Sequence, residues 1–295
     1  MRYEIRHVTT YRYAQPAAFS QHLLRLPPRD TDTQRVVGSR IAIDPQPESL
    51  TTAVDLFGNT EAVATVARTH EALAITATSL VERIDPSPFI VEAGAPWESV
   101  RAQATGRGGP PVMEAAPFAY PSAMTAPDGA IAAYAAESLT PGRSYLAAAR
   151  ELTGRIHADF EYSPGVTAAD TMPGESFETR SGVCQDFAHV MLACLRAFRL
   201  PARYVSGYLR TIPPPGKPRL EGADASHAWV AVWDPVFGWG DFDPTNDCVP
   251  ALDHVTLAWG RDFRDVSPVS GLVVGSGAHS LGVGVDVIPL GAEAA

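Results

Sequence analysis

Phe187, Val190, Met191, Cys194, Leu195 and Phe198 recur at i, i+3, i+4, i+7, i+8 and i+11. A strand cannot gather that set on one side, because its side chains alternate with a period of two. An α-helix can, and it then carries an apolar stripe that another element must cover. Pro201 marks the end of the pattern, since proline brings no N–H to a helix and fixes its own φ. β-favouring runs follow at 202–209 and 226–233, separated by a loop containing Pro213-Pro214-Pro215-Gly216. A one-faced helix followed at once by strands predicts an α+β core.

The start of the chain carries the other period. Tyr3, Ile5 and His7 alternate with Arg2, Glu4 and Arg6. Further β-favouring runs at 37–43, 62–68 and 73–84 are punctuated by Asp44-Pro45-Gln46-Pro47 and Gly58-Asn59. Short strands at this spacing predict an all-β, sandwich-like domain over residues 1–85. Prolines and glycines between Pro86 and Pro111 break every period, so 86–129 reads as a linker or irregular excursion. Residues 130–295 are then the core with C-terminal β-strands. Within it Ser144 is placed to cap a helix reaching about 158, with Leu146, Ala149, Leu152 and Ile156 on one stripe. Leu281, Val283, Val285 and Val287 alternate with Gly282, Gly284 and Asp286 as a last strand.

An apolar fraction of 45% sustains a core, and a net charge of −10 without any Lys/Arg block argues against nucleic acid as a partner. The opening MRYEIRHVTTYRY is charged at once and alternates like a strand, and no apolar run approaches a membrane span. A cytoplasmic protein with no membrane partner is expected. The three cysteines are odd in number, widely spaced and without a CxxC pair, which argues against a disulfide framework and a zinc site. No metal and no cofactor are expected.

In SGVCQDFAHVMLACL, Ser181 is the expected N-cap, which puts Cys184 in the first helical turn. Free backbone N–H groups and the positive end of the helix dipole favour a thiolate there. Cys194 lies on the apolar stripe and reads as core, and Cys248 reads as structural in its loop. Among eight histidines, His227 in ASHAWVAVWDP stands out, because the next run is GWGDFDPTN. Turn signals at Asp234-Pro235 and Phe237-Gly238 predict a hairpin with a loop of three to five residues. A three-residue loop sets His227 opposite Asp243, a four-residue loop opposite Pro244, and a five-residue loop opposite Thr245. Each register keeps Asp243 close enough to hold the imidazole. Asp241 has the same parity and is a rival nearer Trp229. Nucleophile, base and orienter are the three parts that thiol catalysis needs. A metal site using His and Asp near Cys184 is the weaker alternative, because Cys184 and His189 are five apart and share no helical face. His7, His157, His254 and His279 read as surface or packing residues.

The segments SGVCQDFAHVMLACLRAFRLPARYVSGYL, ASHAWVAVW and GWGDFDPTN, in that order, resemble the transglutaminase-like superfamily of papain-type cysteine acyl transferases. YEIRHVTTYRY, DLFGN and GRDFRDVSPVSG resemble its bacterial two-domain branch. The resemblance implies Cys184 as nucleophile, His227 as base and Asp243 as orienter, the last preferred to Asp241 because DPTN is the matched unit. It implies a helix bearing the cysteine, packed on an antiparallel sheet bearing His and Asp. It also implies cysteine-dependent acyl transfer on a peptide or protein amide through a thioacyl-enzyme, leaning to hydrolysis. A crosslinking transglutaminase and a non-catalytic binding or scaffold module are the alternatives. The tryptophan that helps bind the oxyanion in animal transglutaminases has no counterpart between Trp97 and Trp229. The Cys184 backbone N–H, with Gln185 or Tyr162, is expected in its place. No EF-hand loop or comparable carboxylate cluster is present, so calcium is not carried over.

Overall fold

A computed structural model describes residues 1–85, 90–212, 222 and 224–291. The loop at 213–216 lies outside the described residues. Six strands open the chain: β1 (Arg2–Ala17), β2 (Phe19–Leu24), β3 (Gln34–Asp44), β4 (Ser49–Val54), β5 (Thr60–Val66) and β6 (His70–Arg83). Helices then dominate: α1 (Trp97–Thr105), α2 (Gly129–Ala136), α3 (Tyr145–Asp159), α4 (Pro173–Thr179) and α5 (Cys184–Ala197). The short strands β7 (Glu161–Tyr162) and β8 (Ser181–Gly182) flank α4. After α5 come β9 (Ala202–Leu209), β10 (Ala225–Asp234), β11 (Gly238–Phe242), β12 (His254–Gly260), α6 (Phe263–Val266), β13 (Val269–Val274) and β14 (His279–Leu290).

The strands form two sheets in sandwich, ordered β14-β1-β6-β3 and β13-β2-β5-β4, and a separate sheet ordered β11-β10-β9-β12. Between the sandwich layers lie Tyr13, Leu24, Val66, Leu73 and Ile75, drawn from both sheets. Alternation predicts β14 as a strand, but its partner is β1, from Arg2↔Leu290 to Tyr13↔His279. β13 likewise pairs with β2. The C-terminal strands expected in the core therefore complete the N-terminal sandwich. A period of two says which residues share a face and nothing about which strand lies alongside.

The segment at 86–129 is no irregular excursion where it is described. α1 buries Trp97, Val100 and Ala104, and Phe118 and Met124 are also buried. Its glycines and prolines end a short helix and do not prevent one, since α1 stops at Gly106, held at φ 74.

The third sheet positions the site. Its Ala228, Val230 and Val232 face α5 and join Phe187, Val190, Met191, Cys194 and Leu195 in the main core. Trp229, Ala231 and Val205 form a small second core on the other side. β12 is an edge of this sheet, and its outward backbone is capped by two amide side chains of the sandwich domain. Gln34 donates from Nε2 to the Thr256 carbonyl (2.7 Å) and accepts the Thr256 N–H at Oε1 (2.9 Å). Asn59 treats Trp259 in the same way, at 2.8 and 3.0 Å. Both side chains are buried, so each replaces a missing neighbouring strand and closes the edge.

Candidate active site

Cys184 is the first residue of α5, so its backbone N–H has no intrahelical acceptor. The expected cap is corrected. Ser181 lies in β8, where Ser181 and Gly182 pair in parallel with Glu161 and Tyr162. The N-cap is Val183, and Asp186 closes the turn by accepting the Val183 N–H at Oδ2 (2.8 Å). Thr167 Oγ1 donates to the same oxygen at 2.7 Å. Gly182 is small for a reason, because a Cβ there would sit 2.5 Å from Asp186 Oδ2.

The hairpin adopts the longest register considered. Trp233 pairs with Trp239 and Val230 with Phe242, which extrapolates to Thr245 opposite His227. Asp243 follows the last residue of β11 and turns in toward His227. His227 Nε2 and Asp243 Oδ2 are 2.7 Å apart. Asn246 Nδ2 also lies 3.3 Å from His227 Nε2, and Cys184 is close enough to His227 to raise its pKa alongside Asp243. The structure therefore brings Cys184, His227 and Asp243 together. The rival Asp241 lies opposite Ala231 and is held by the charges of Arg203 and Arg83, against a burial that raises its pKa.

Asp243 is fully buried and has more partners than the sequence suggests. Oδ1 accepts the backbone N–H groups of Thr245 (2.9 Å) and Asn246 (3.2 Å). Oδ2 accepts from His227, from Asn246 Nδ2 (2.7 Å) and from His254 Nε2 (3.0 Å). The turn is closed behind it by backbone bonds in both directions between Asp243 and Cys248. Burial works against the carboxylate charge, but the bonds from His227 and His254 hold its pKa well below the usual range. Burial also opposes the imidazolium of His227, and there the bonds to Asp243 and Cys184 prevail and raise its pKa above the ordinary 6.5. His227 is thus kept protonated beside the thiol near neutral pH.

His254 is the residue that sequence reasoning misplaced. It is buried, its ring packs edge-on against Trp229 at 5.3 Å, and it shares Asp243 with His227. The only signal was its place at the start of a β-favouring run. His227, Asp243 and His254 present ligand atoms within 4.8 Å of one another, but their spacing does not suit a metal. Ligands about 2.0–2.1 Å from a tetrahedral zinc stand about 3.3 Å apart. Separations of 2.7 and 3.0 Å on one shared oxygen are those of hydrogen bonds instead. His189 takes no part. It is buried, accepts the Phe263 N–H at Nε2, and burial lowers its pKa to about 4.

The two side chains considered for the oxyanion differ. Gln185 is committed elsewhere, donating from Nε2 to the Ala169 carbonyl at 2.9 Å. Tyr162 is brought alongside Cys184 by the β7–β8 pairing, and burial and the Cys184 charge raise its phenol pKa. Among the other thiols, burial pushes Cys194 up to about 12 and Cys248 up to about 11. Neither ionises readily.

An α-helix that presents a thiol to a sheet-borne His–Asp pair, beside a β-sandwich, describes a family as well as a geometry. Residues 132–244 match the transglutaminase-like superfamily, and residues 3–82 match the bacterial transglutaminase-like N-terminal region. The chain belongs to the transglutaminase-like superfamily, in the form that carries this bacterial N-terminal region. An uncharacterized protein of Mycobacterium tuberculosis is 39% identical over 301 residues, 99% of this chain and 94% of that one. A protein-glutamine gamma-glutamyltransferase of Pseudomonas aeruginosa is 40% identical over 97 residues, 32% of this chain and 14% of that one. The crystal structure of a candidate cysteine protease from Cytophaga hutchinsonii has the same fold, with a TM-score of 0.76 at 21% identity, over 100% of this chain and 92% of that one.

Proposed function

We propose that the protein is a cysteine-dependent enzyme that cleaves amide bonds of peptides or proteins through a thioacyl-enzyme. The observation that carries this reading is the chain of contacts from Cys184 to His227 to Asp243, with the carboxylate saturated by donors. The Cys184 thiolate attacks the substrate carbonyl carbon, and the backbone N–H of Cys184 is placed to meet the developing oxyanion. Tyr162 is a second donor candidate. As the C–N bond breaks, the His227 imidazolium gives its proton to the leaving amine. His227, now neutral, takes a proton from water as the water attacks the thioester. The acid leaves, and the thiolate–imidazolium pair is restored. Asp243 keeps the ring oriented and stabilises its charge throughout.

Hydrolysis is favoured by openness. Cys184 is half-buried and the neighbouring Tyr162 is 53% exposed, so water reaches the thioester. Transfer to an amine is the second reading, motivated by the Pseudomonas aeruginosa relative and its name. A panel of amide substrates, assayed with and without a primary amine, separates the two. Release of free acid with little amine conjugate supports hydrolysis, and conjugate as the main product supports transfer. Activity that survives in Cys184→Ser sinks both.

A further inference from the structure

Away from the triad, on the side of the third sheet occupied by Trp229 and Val205, lies a cleft of about 1080 Å³. Its walls are the Asp30–Thr33 turn and Phe57 of the sandwich domain, the 113–118 segment, and β9, β11 and β12. Neither Cys184, His227 nor Asp243 lines it. Its base holds Arg203, more than nine-tenths buried. Among the described residues no group accepts a hydrogen bond from this guanidinium, and its Nε is sealed from solvent without a partner. The ring of Trp259 lies 3.6 Å from it and that of Trp239 4.1 Å. Arg29 lies over the same Trp259 ring at 3.2 Å, which adds a second positive charge.

Acids are near but not in contact. Asp241, Glu114 and Asp32 all act on the Arg203 charge, yet none forms an ion pair with it among the described residues. The reason is the sheet. Arg203 on β9 and Asp241 on β11 each pair with Ala231 on β10, so they stand two strands apart, about 9.5 Å. Both residues nevertheless line the cleft. A buried cation without an acceptor is costly, and indole faces offset that only in part.

We propose that this cleft is a second binding site, which takes the carboxylate-terminated end of an N-acyl amino acid or peptide, with Arg203 as its anchor. The ligand chemistry follows from the lining. Arg203 offers a planar fork of donors that suits a carboxylate. Asp241 lines the same cleft and accepts an N–H. A C-terminal residue carries both groups on adjacent atoms, and its side chain fits against Trp239, Trp259 and Phe57. The site lies outside the triad and does not depend on turnover.

Isothermal titration calorimetry on the full chain carrying Cys184→Ser tests this without chemistry. The probes are N-acetyl-alanyl-phenylalanine, its C-terminal amide, and N-acetylphenylalanine. The acid binds and the amide binds about tenfold or more weakly, because the buried cation is left unpaired. N-acetylphenylalanine separates a short peptide from a free N-acyl amino acid as the source. Arg203→Met abolishes binding of the acid. Asp32→Asn, at an exposed position, tightens the acid about twofold and leaves the amide unchanged. Acid and amide binding equally, neither binding, or acid affinity unmoved by Asp32→Asn and Arg203→Met overturns the proposal. If Arg203→Met does not fold, the acid–amide contrast and Asp32→Asn still decide it.

Discussion

Asp243 accepts five hydrogen bonds on two oxygens, and its neighbours depend on that charge being kept. Asp243→Asn removes the charge that holds His227 protonated. Its kcat/KM is expected to fall about 10³-fold or more, and the alkaline limb of its pH–rate profile to move down toward the ordinary imidazole value. Steady-state kinetics across pH measures both. The parent profile keeps its alkaline limb well above 6.5, because the raised pKa of His227 belongs to the protonated form that activity requires. The linkage to stability has opposite signs at the two residues. The depressed Asp243 contributes stability above its unfolded value, lost as pH falls through the folded one. The raised His227 contributes stability below its unfolded value, lost as pH rises through the folded one. His254→Phe keeps a ring beside Trp229 but withdraws a donor from a buried carboxylate. Denaturant titration is expected to show a loss of about 1.5–3 kcal/mol, partly recovered in His254→Gln.

At the scale of elements, the helix start is a matter of space. Gly182→Ala places a methyl group against Asp186, displaces its carboxylate from the Val183 N–H and loosens the turn that carries the thiol. Loss of such a cap costs about 1 kcal/mol of stability, and kcat falls because the nucleophile moves. Thermal melts and kinetics on one preparation read the two effects; unchanged kcat would show that the turn does not fix the thiol. This helix was the most legible element, since its stripe, its end near Pro201 and the strands after it follow from periodicity alone. Its first residue was less legible. Ser181-Gly182 satisfies the pattern of a cap, but the pair is held extended by Glu161-Tyr162, which lie about twenty residues earlier in the chain. The hairpin count narrowed His227 to three registers that all retained Asp243, so the pair could be read before its register was known. His254 could not, because it reaches Asp243 from the far edge of the sheet, on β12, through a contact that no spacing rule encodes.

Across the whole molecule, the sandwich domain is built into the third sheet. Gln34 and Asn59 supply the backbone partners that β12 lacks, and β12 carries His254. Tyr3 Oη adds a bond to Asp253 at 3.0 Å, one residue before that strand. The two regions are therefore expected to unfold in a single calorimetric transition. Asn59→Ala leaves the part-buried N–H and C=O of Trp259 unpaired, at about 1–3 kcal/mol for the pair, and is expected to lower activity through β12. Two resolved transitions, or an Asn59→Ala protein with parental stability, would contradict this coupling. The dependence was hidden in the sequence. Gly58-Asn59 reads as a turn signal, which it is, with Gly58 at φ 77. The second role of Asn59 lies two hundred residues away in the chain.

On the proposed mechanism, Cys184 forms a covalent acyl intermediate. Intact-protein mass spectrometry after rapid acid quench, with an activated amide or ester of an N-acyl amino acid, tests it directly. The expected result is an added acyl mass that peptide mapping places on Cys184, absent from Cys194 and Cys248 and absent in Cys184→Ser. No adduct during measurable turnover, or an adduct that persists in Cys184→Ser, would contradict it.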